Sequence, residues 1–343
     1  MHKSPQSRKN NGGVDFMKRF VGRSDVASEA VSRISGEISG VVKNEYAENG
    51  VRVTAIKITD DYASEVIGKP KGEYVTVDIG TAFEDDGVFQ TAIEVVYRNL
   101  SEMLIKKTGK RMFTALIAGL GNSALTSDAI GPETVKGIIV TRHIKSASPR
   151  IFEDMKFNSV SITVPGVLGS TGIESSSAVK ALAKEVEPDI IIAVDALASD
   201  NPERLCRSVQ ITDTGISPGS GVGNSRKELS ENTLSVPVIA VGVPTVSDSL
   251  TVTGSVISGV LSSLENSSDS SDILFSDRLS SVWNETSFEI LKDKITASAF
   301  NYIITPKDID CLVKKAARLV SVSVNKALHN GISEEDINAL LGG

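Results

Sequence analysis

Two aspartates stand where an open α/β sheet keeps its chemistry. Asp128 lies in the string GLGNSALTSDAIGP (119–132), which follows the apolar run FTALIAGLG (113–121) and leads into a helix-like pattern. Asp195 ends the run IIIAVDAL (190–197), directly after the consecutive apolar residues Ile190 to Val194. A carboxylate in that place has to face the mouth of the sheet or find a partner, because burying it alone is costly. Each aspartate ends a predicted strand on the edge where open sheets bind ligands. Two carboxylates that converge there tend to share one proton, and such a pair can activate water and protonate a leaving amine. That is peptide hydrolysis without a metal. Each also has a plainer reading, Asp128 as a cap of the next helix and Asp195 as a salt-bridged or capping group.

Other constellations carry weaker chemistry. The loop DTGISPGSGVGNSRKEL (213–229) is rich in glycine and serine and reads as a binding or connecting element. Ser220, Asn224 and Arg226 in it, with Asn122 of the first string, are candidates to line a substrate groove, and Arg226 offers a positive charge to an acidic substrate residue. Asp213 of the DTG triplet is read as structural, because the surrounding α/β rhythm contradicts a two-lobed β fold. Asp200 is read as a turn residue. PGVLGSTGIESS (165–176) reads as a strand-to-helix turn with Glu174 supporting the helix dipole. The GxSxG elbow, the GxxxxGK[ST] phosphate loop and a full dinucleotide fingerprint are absent from the sequence.

The elements that must position these groups alternate. Strand patterns fall at 51–59, 74–80, 113–121, 161–165 and 190–197 and in SVQITDT and PVIAVGVP. Helix patterns cover DGVFQTAIEVVYRNLSEMLIKKTG, Pro132 to Ser146, ESSSAVKALAKEVEPD, TVTGSVISGVLSSLEN and DIDCLVKKAARLVSVSVNKALHNG, and a short helix is expected within 23–40. Ser333 and Asp336 form a capping box for a last one. This rhythm predicts a mostly parallel mixed sheet covered by helices on both faces, since parallel strands need crossovers and these are usually helical. Residues 267–300 are Ser- and Asp-rich and read as a surface insertion.

Composition narrows the classes. The chain has 343 residues, 40% of them hydrophobic, enough for a large core. A net charge of −7 argues against a nucleic-acid footprint. Two cysteines, Cys206 and Cys311, cannot build a disulfide framework, and His143 and His329 lie in helical patterns without zinc-ligand spacing. No apolar run reaches membrane-span length, and the basic, polar start has no secretory h-region. The expectation is a cytoplasmic enzyme with no cofactor, no metal and no membrane partner.

Taken together, GLGNSALTSDAIGP, PGVLGSTGIES, AVDALASDNPERLCRSVQITDTGISPGSGVGNSRKEL and VPVIAVGVPTVSDSLT resemble the germination protease family of endospore-forming bacteria. TPKDID and NKALH extend the resemblance, which spans about residues 23–330. It implies an endopeptidase that degrades small acid-soluble spore proteins in the forespore or spore core, of an atypical aspartic type. The family's two essential aspartates match Asp128 and Asp195. The implied fold is a three-layer α/β/α sandwich, phosphorylase/hydrolase-like and similar to hydrogenase-maturation endopeptidases. Members are homotetramers made as zymogens. Family substrates are cut after an acidic residue, before an apolar residue and alanine, and Asp25-Val26-Ala27 has that form. This predicts a leader over 1–25, self-cleavage between Asp25 and Val26, and a single peptidase domain over 26–343. Alternatives are a metal-probing endopeptidase of the hydrogenase-maturation type and a non-proteolytic nucleotide- or phosphate-binding protein.

Overall fold

The computed structural model describes residues 24–34, 36–217, 227–265, 269–282 and 302–341. The short helix α1 (Ala27–Ser32) precedes strands β1 (Val41–Glu48) and β2 (Val51–Ile58). Helix α2 (Asp61–Ile67) leads to β3 (Gly72–Asp78), and the long α3 (Asp86–Thr108) to β4 (Thr114–Gly119). A 3-10 turn (Thr126–Asp128) runs into α4 (Ile130–Lys136), then α5 (Arg142–Ala147), α6 (Pro149–Met155) and β5 (Ser159–Thr163). Helices α7 (Leu168–Thr171) and α8 (Ser175–Val186) bring the chain to β6 (Ile190–Ala198) and β7 (Ser208–Thr212). Next come α9 (Glu231–Leu234), β8 (Val238–Asp248), α10 (Ser249–Glu265), α11 (Ser270–Val282) and β9 (Ile303–Ile304). The C-terminal part is α12 (Ile309–Leu328) and α13 (Glu334–Leu341).

The described strands form one mixed sheet in the order β1-β2-β3-β7-β8-β6-β4-β5, with β9 paired to β8. Its parallel part is β8-β6-β4-β5. The rest is antiparallel, a larger share than the strand–helix rhythm suggests, because β1 to β3 connect through the tight Asn49-Gly50 turn and the short α2 without a full crossover.

Strand alternation sends side chains to two faces. One face, with Val77, Ile117, Ile192, Val194, Val209 and Val241, packs against α3, α4 and α12. The other is covered in two places. Leu116, Ala118, Ile191, Ala193 and Val238 meet Val179 and Ala183 of α8 and Leu234 of α9. Ile56, Ile58 and Tyr74 meet Ala27 and Ala30 of α1 and Ala63 and Ile67 of α2. The result is a three-layer α/β/α sandwich whose second helical layer is split, leaving a groove between its halves.

Several elements differ from the pattern reading. The helix expected from Pro132 to Ser146 is two, α4 and α5. Gly137 packs against Ser321, and the Asn325 amide takes over the broken backbone, accepting from Ile139 N–H at 2.9 Å and donating to the Gly137 carbonyl at 2.7 Å. The helix expected within 23–40 is shorter, α1 ending before the positive-φ Gly36 (+96°). The Ser/Asp-rich stretch contains α11; residues 283–301 lie outside the described residues. The Ser333–Asp336 capping box is present, with Asp336 N–H donating to Ser333 Oγ at 3.0 Å and Ser333 N–H to Asp336 Oδ2 at 3.0 Å. Among the described residues no helix is long and apolar enough to cross a membrane.

Candidate active site

The sheet register builds the site. Asp195 of β6 pairs with Gly242 of β8, and Gly242 pairs with Gln210 of β7. Paired residues share a face, so Asp195 and Gln210 rise on either side of Gly242, their backbones roughly 10 Å apart at the usual strand spacing. Asp195 and Gln210 are 3% and 6% exposed, respectively. Asp195 Oδ1 accepts the following Ala196 N–H at 2.9 Å; the strand does not end at Asp195 as its sequence pattern suggested but runs on to Ala198, because β8 continues to pair with it.

Asp128 reaches the same mouth by a different route. After β4 the chain turns at Gly121 (φ +113°), where an added Cβ would sit 2.0 Å from the Asp128 carbonyl oxygen. Asn122 N–H donates both to that carbonyl (3.0 Å) and to Asp128 Oδ2 (2.9 Å). The turn then packs over the end of β8, where Thr245 Oγ1 donates to the Ser127 carbonyl at 2.5 Å. Asp128 thus sits in the turn that follows β4, and Asp195 lies in β6 one residue beyond the last β4 pairing, Gly119 with Val194. Asn122 spends its side chain on the turn, accepting Ala124 N–H at 3.0 Å, and is not among the groove-lining residues. Ser220, Asn224 and Arg226 lie outside the described residues. The base of their loop is pinned by the Ile216–Leu229 bridge.

The groove between the two halves of the helical layer has an accessible volume of about 240 Å³, with Leu197, Gln210, Thr212, Ala240, Gly242 and Tyr74 among its lining residues. Asp25 also lines it. The segment around Asp25 is extended and held like a bound peptide. Asp25 N–H donates to the Ala198 carbonyl and Ala198 N–H to Asp25 Oδ2, both at 2.9 Å. The Asp25 carbonyl accepts from Lys69 Nζ at 2.9 Å and from Gln210 Nε2 at 3.2 Å. Gln210 Oε1 in turn accepts Ala27 N–H at 2.6 Å.

Beyond this segment α1 docks through a charged cluster. Glu29, 5% exposed, accepts from Ser199 Oγ (2.6 Å), Asp200 N–H (2.8 Å) and Arg204 Nη1 (3.1 Å), and also from Ser24 Oγ. Arg33 grips Asp200 Oδ2 through Nη2 and Nε at 2.6 and 2.9 Å, and Arg204 reaches on to Asp78. Asp200 is therefore a docking residue, which corrects its reading as a simple turn residue; its partners come from far away in sequence. Burial and the neighbouring Glu29 push the Asp200 carboxyl up to about 7. Burial also raises Glu29, but hydrogen bonds from Asp200, Ser199 and Ser24 outweigh it and leave that carboxyl below its ordinary value.

A pH dependence follows. An unfolded aspartate ionises near 3.9. With its folded value raised to about 7, Asp200 contributes stability that is complete below its unfolded value and is lost as pH rises through about 7. The depressed Glu29 acts oppositely, its contribution failing only as pH falls through its own lowered value. Docking of α1 is therefore expected to be tighter at pH 5.5 than at pH 8. Hydrogen exchange at the α1 amides, corrected for intrinsic rates, should show about tenfold more protection at the lower pH. In Asp200→Asn the difference should vanish; its persistence there would assign the effect elsewhere.

The remaining sequence candidates are structural. Asp213 accepts Glu73 N–H at 2.7 Å and pairs with Lys107 at 3.2 Å, as its reading required. His329 is buried against the Phe157 ring, bonds the Ile139 carbonyl at 3.1 Å through Nε2, and is lowered by burial to about 4. Cys206 and Cys311 are free thiols. Sequence reasoning missed Lys69, Gln210, Glu29 and Arg204. A polar Gln210 between Val209 and Ile211 in a buried strand was the one available signal.

A groove in an α/β sandwich that holds a stretch of chain by its backbone, as this one holds Asp25, suits a protein that binds peptides. The family model described as germination protease matches residues 23–280. The germination protease of Caldanaerobacter subterraneus subsp. tengcongensis is 38% identical over 320 residues, covering 93% of this chain and 98% of its own length. That of Clostridium tetani is 37% identical over 323 residues (93% and 99%), and that of Priestia megaterium 35% over 334 residues (88% and 90%). The chain belongs to the germination protease family, and it is a peptidase.

Proposed function

We propose that the protein is the endopeptidase that begins the breakdown of small acid-soluble spore proteins at germination. It is made as a zymogen with residues 1–25 as leader and 26–343 as one peptidase domain, and it works as a homotetramer in the spore core. One observation carries this reading: Asp25 lies in the groove lined by Gly242 and Gln210, the extended Val26 follows it, and Ala27, the first residue of α1, donates its N–H to Gln210. An acidic residue, an apolar one and alanine, in that order, stand where a substrate would.

In the mechanism, Asp128 and Asp195 share one proton. The ionised carboxylate takes a proton from water, whose oxygen attacks the carbonyl carbon of the acidic residue. The carbonyl oxygen becomes anionic, the C–N bond then breaks, and the protonated carboxyl delivers its proton to the departing amine. Atoms balance with water as the sole co-reactant. The net charge of −7 suits an enzyme that meets its substrate without holding DNA itself.

The test is to incubate the purified full chain, sequence the new N-terminus, and then give the processed enzyme a purified small acid-soluble spore protein. We expect a mature chain starting at Val26 and spore-protein cuts after acidic residues. A mature chain starting elsewhere would remove the processing assignment. An intact spore protein beside a degraded generic substrate would remove the substrate assignment.

A further inference from the structure

We propose that Lys69 and Gln210 hold the peptide bond that is cut, Lys69 and the Gln210 amide as the two donors to its carbonyl oxygen, and Gln210 as the group that sets the peptide's register. This rests on the reading of Asp25–Val26 as a substrate-like bond.

The geometry is that of a clamp. The Asp25 carbonyl has two donors on it, Lys69 Nζ at 2.9 Å and Gln210 Nε2 at 3.2 Å. Gln210 uses both ends of its amide, since its oxygen takes Ala27 N–H at 2.6 Å. A primary amide that donates to residue n and accepts from residue n+2 mimics the edge of a neighbouring strand, so it fixes an extended peptide without reading side chains. Gly242 beside it has no side chain, and Leu197 packs over that position, where a Cβ would lie 2.5 Å from its Cδ1.

Lys69 is set in place by its backbone. Helix α2 ends with Gly68 N–H and Lys69 N–H both donating to the Ser64 carbonyl (2.9 and 3.2 Å), and Ser64 Oγ donates to the Lys69 carbonyl at 2.8 Å. The next carbonyl, of Pro70, is held by Tyr74 Oη at 2.7 Å. The ammonium therefore projects into the groove from a fixed anchor. Burial holds its pKa below the ordinary lysine value, while the Asp25 charge pulls it back up and Arg33 adds to the lowering. A cation kept in a poorly solvated groove and aimed at a carbonyl oxygen stabilises negative charge as it develops there, without reorganising at the moment of reaction. The acidic side chain of the same residue lies beside Ala198 N–H at 2.9 Å, so cation and carboxylate share one corner of the groove.

Two rates test this: self-cleavage of the full chain at Asp25–Val26, and turnover of a blocked peptide carrying Ser-Asp-Val-Ala by the enzyme that starts at Val26. Loss of a single oxyanion donor costs about 10²–10³ in kcat. Lys69→Met is expected to slow both reactions by about 10² or more, mainly in kcat. Gln210→Glu keeps the acceptor for the n+2 amide and loses the donor, so it should lower kcat. Gln210→Ala loses both and should raise KM about tenfold in addition. In a Cys311→Ser background, Lys69→Cys treated with bromoethylamine rebuilds a lysine-like amine and should restore most of the rate, which a folding defect would not allow. Lys69→Met with kcat within threefold of wild type overturns the inference alone. If the wild type leaves Asp25–Val26 and the peptide uncut, the functional reading fails, and this inference with it.

Discussion

Asp195→Asn and Asp128→Asn, each in the chain starting at Val26, should lower kcat on a small acid-soluble spore protein by at least about 10³-fold, and the double variant should be little worse than either alone. General acid–base groups contribute about 10²–10⁴ each, and residues acting as one unit are far from additive. The substitution is nearly isosteric, and the local hydrogen bonds allow it. Asp195 accepts Ala196 N–H through Oδ1, and Asp128 accepts Asn122 N–H through Oδ2. An asparagine oxygen can take either place. Fold and thermal midpoint should therefore change little, so the loss can be read as chemistry. Near-normal cutting in either variant would end the carboxylate-pair mechanism and turn attention to the loop that carries Ser220. The pH profile adds a second readout. A shared proton gives two macroscopic ionisations, and one of them should disappear in each single variant.

How much of this was legible from sequence depends on how local the signal is. The strand that leads to the Asp128 turn and the strand that carries Asp195 are continuous apolar runs, because both faces of a central parallel strand are buried. They are visible for that reason, and so is the edge on which the aspartates stand. Strand β1 gave no such signal. It is an edge strand whose residues from Val42 to Glu48 are exposed, so its pattern is that of a surface. The break between α4 and α5 was invisible because its cause, Asn325, lies in another helix far along the chain. The groove was half legible. Asp25-Val26-Ala27 could be picked out by its form, but nothing in GKPKG marks Lys69 as its partner. The contact joins residues 44 positions apart and exists only because α2 and β6 border one cleft. Charged clusters such as Glu29–Asp200–Arg204 are likewise products of topology, and sequence spacing carries no trace of them.

The close approach of α4 to the strand ends leads to the second large effect, at Gly131. A Cβ there would lie 2.3 Å from the Leu120 carbonyl oxygen, 2.4 Å from the Val194 carbonyl oxygen and 2.5 Å from Leu120 N. All three atoms are backbone, so no rotamer change relieves the contact. They also make the β4–β6 junction itself, where Leu120 N–H donates to the Val194 carbonyl at 2.8 Å. A methyl group must push α4 outward or open that bond. Either movement reaches both aspartates, since Asp128 is joined to α4 through Ala129, and Asp195 follows Val194 directly. Gly131→Ala is thus expected to cost about 2–3 kcal/mol, the upper part of the range for overpacking. It should also lower kcat by roughly 10²-fold, the scale of a small misplacement of reacting groups. Urea unfolding should show a lower midpoint at unchanged slope, which separates a native-state clash from a change in the unfolded chain. Gly169→Ala is the control. Its Cβ meets nothing within 4 Å, and its effect should stay within about 0.5 kcal/mol. If Gly131→Ala proved as stable and active as wild type, the helix could sit farther from the strand ends without loss, and this contact would not be what positions Asp128 and Asp195.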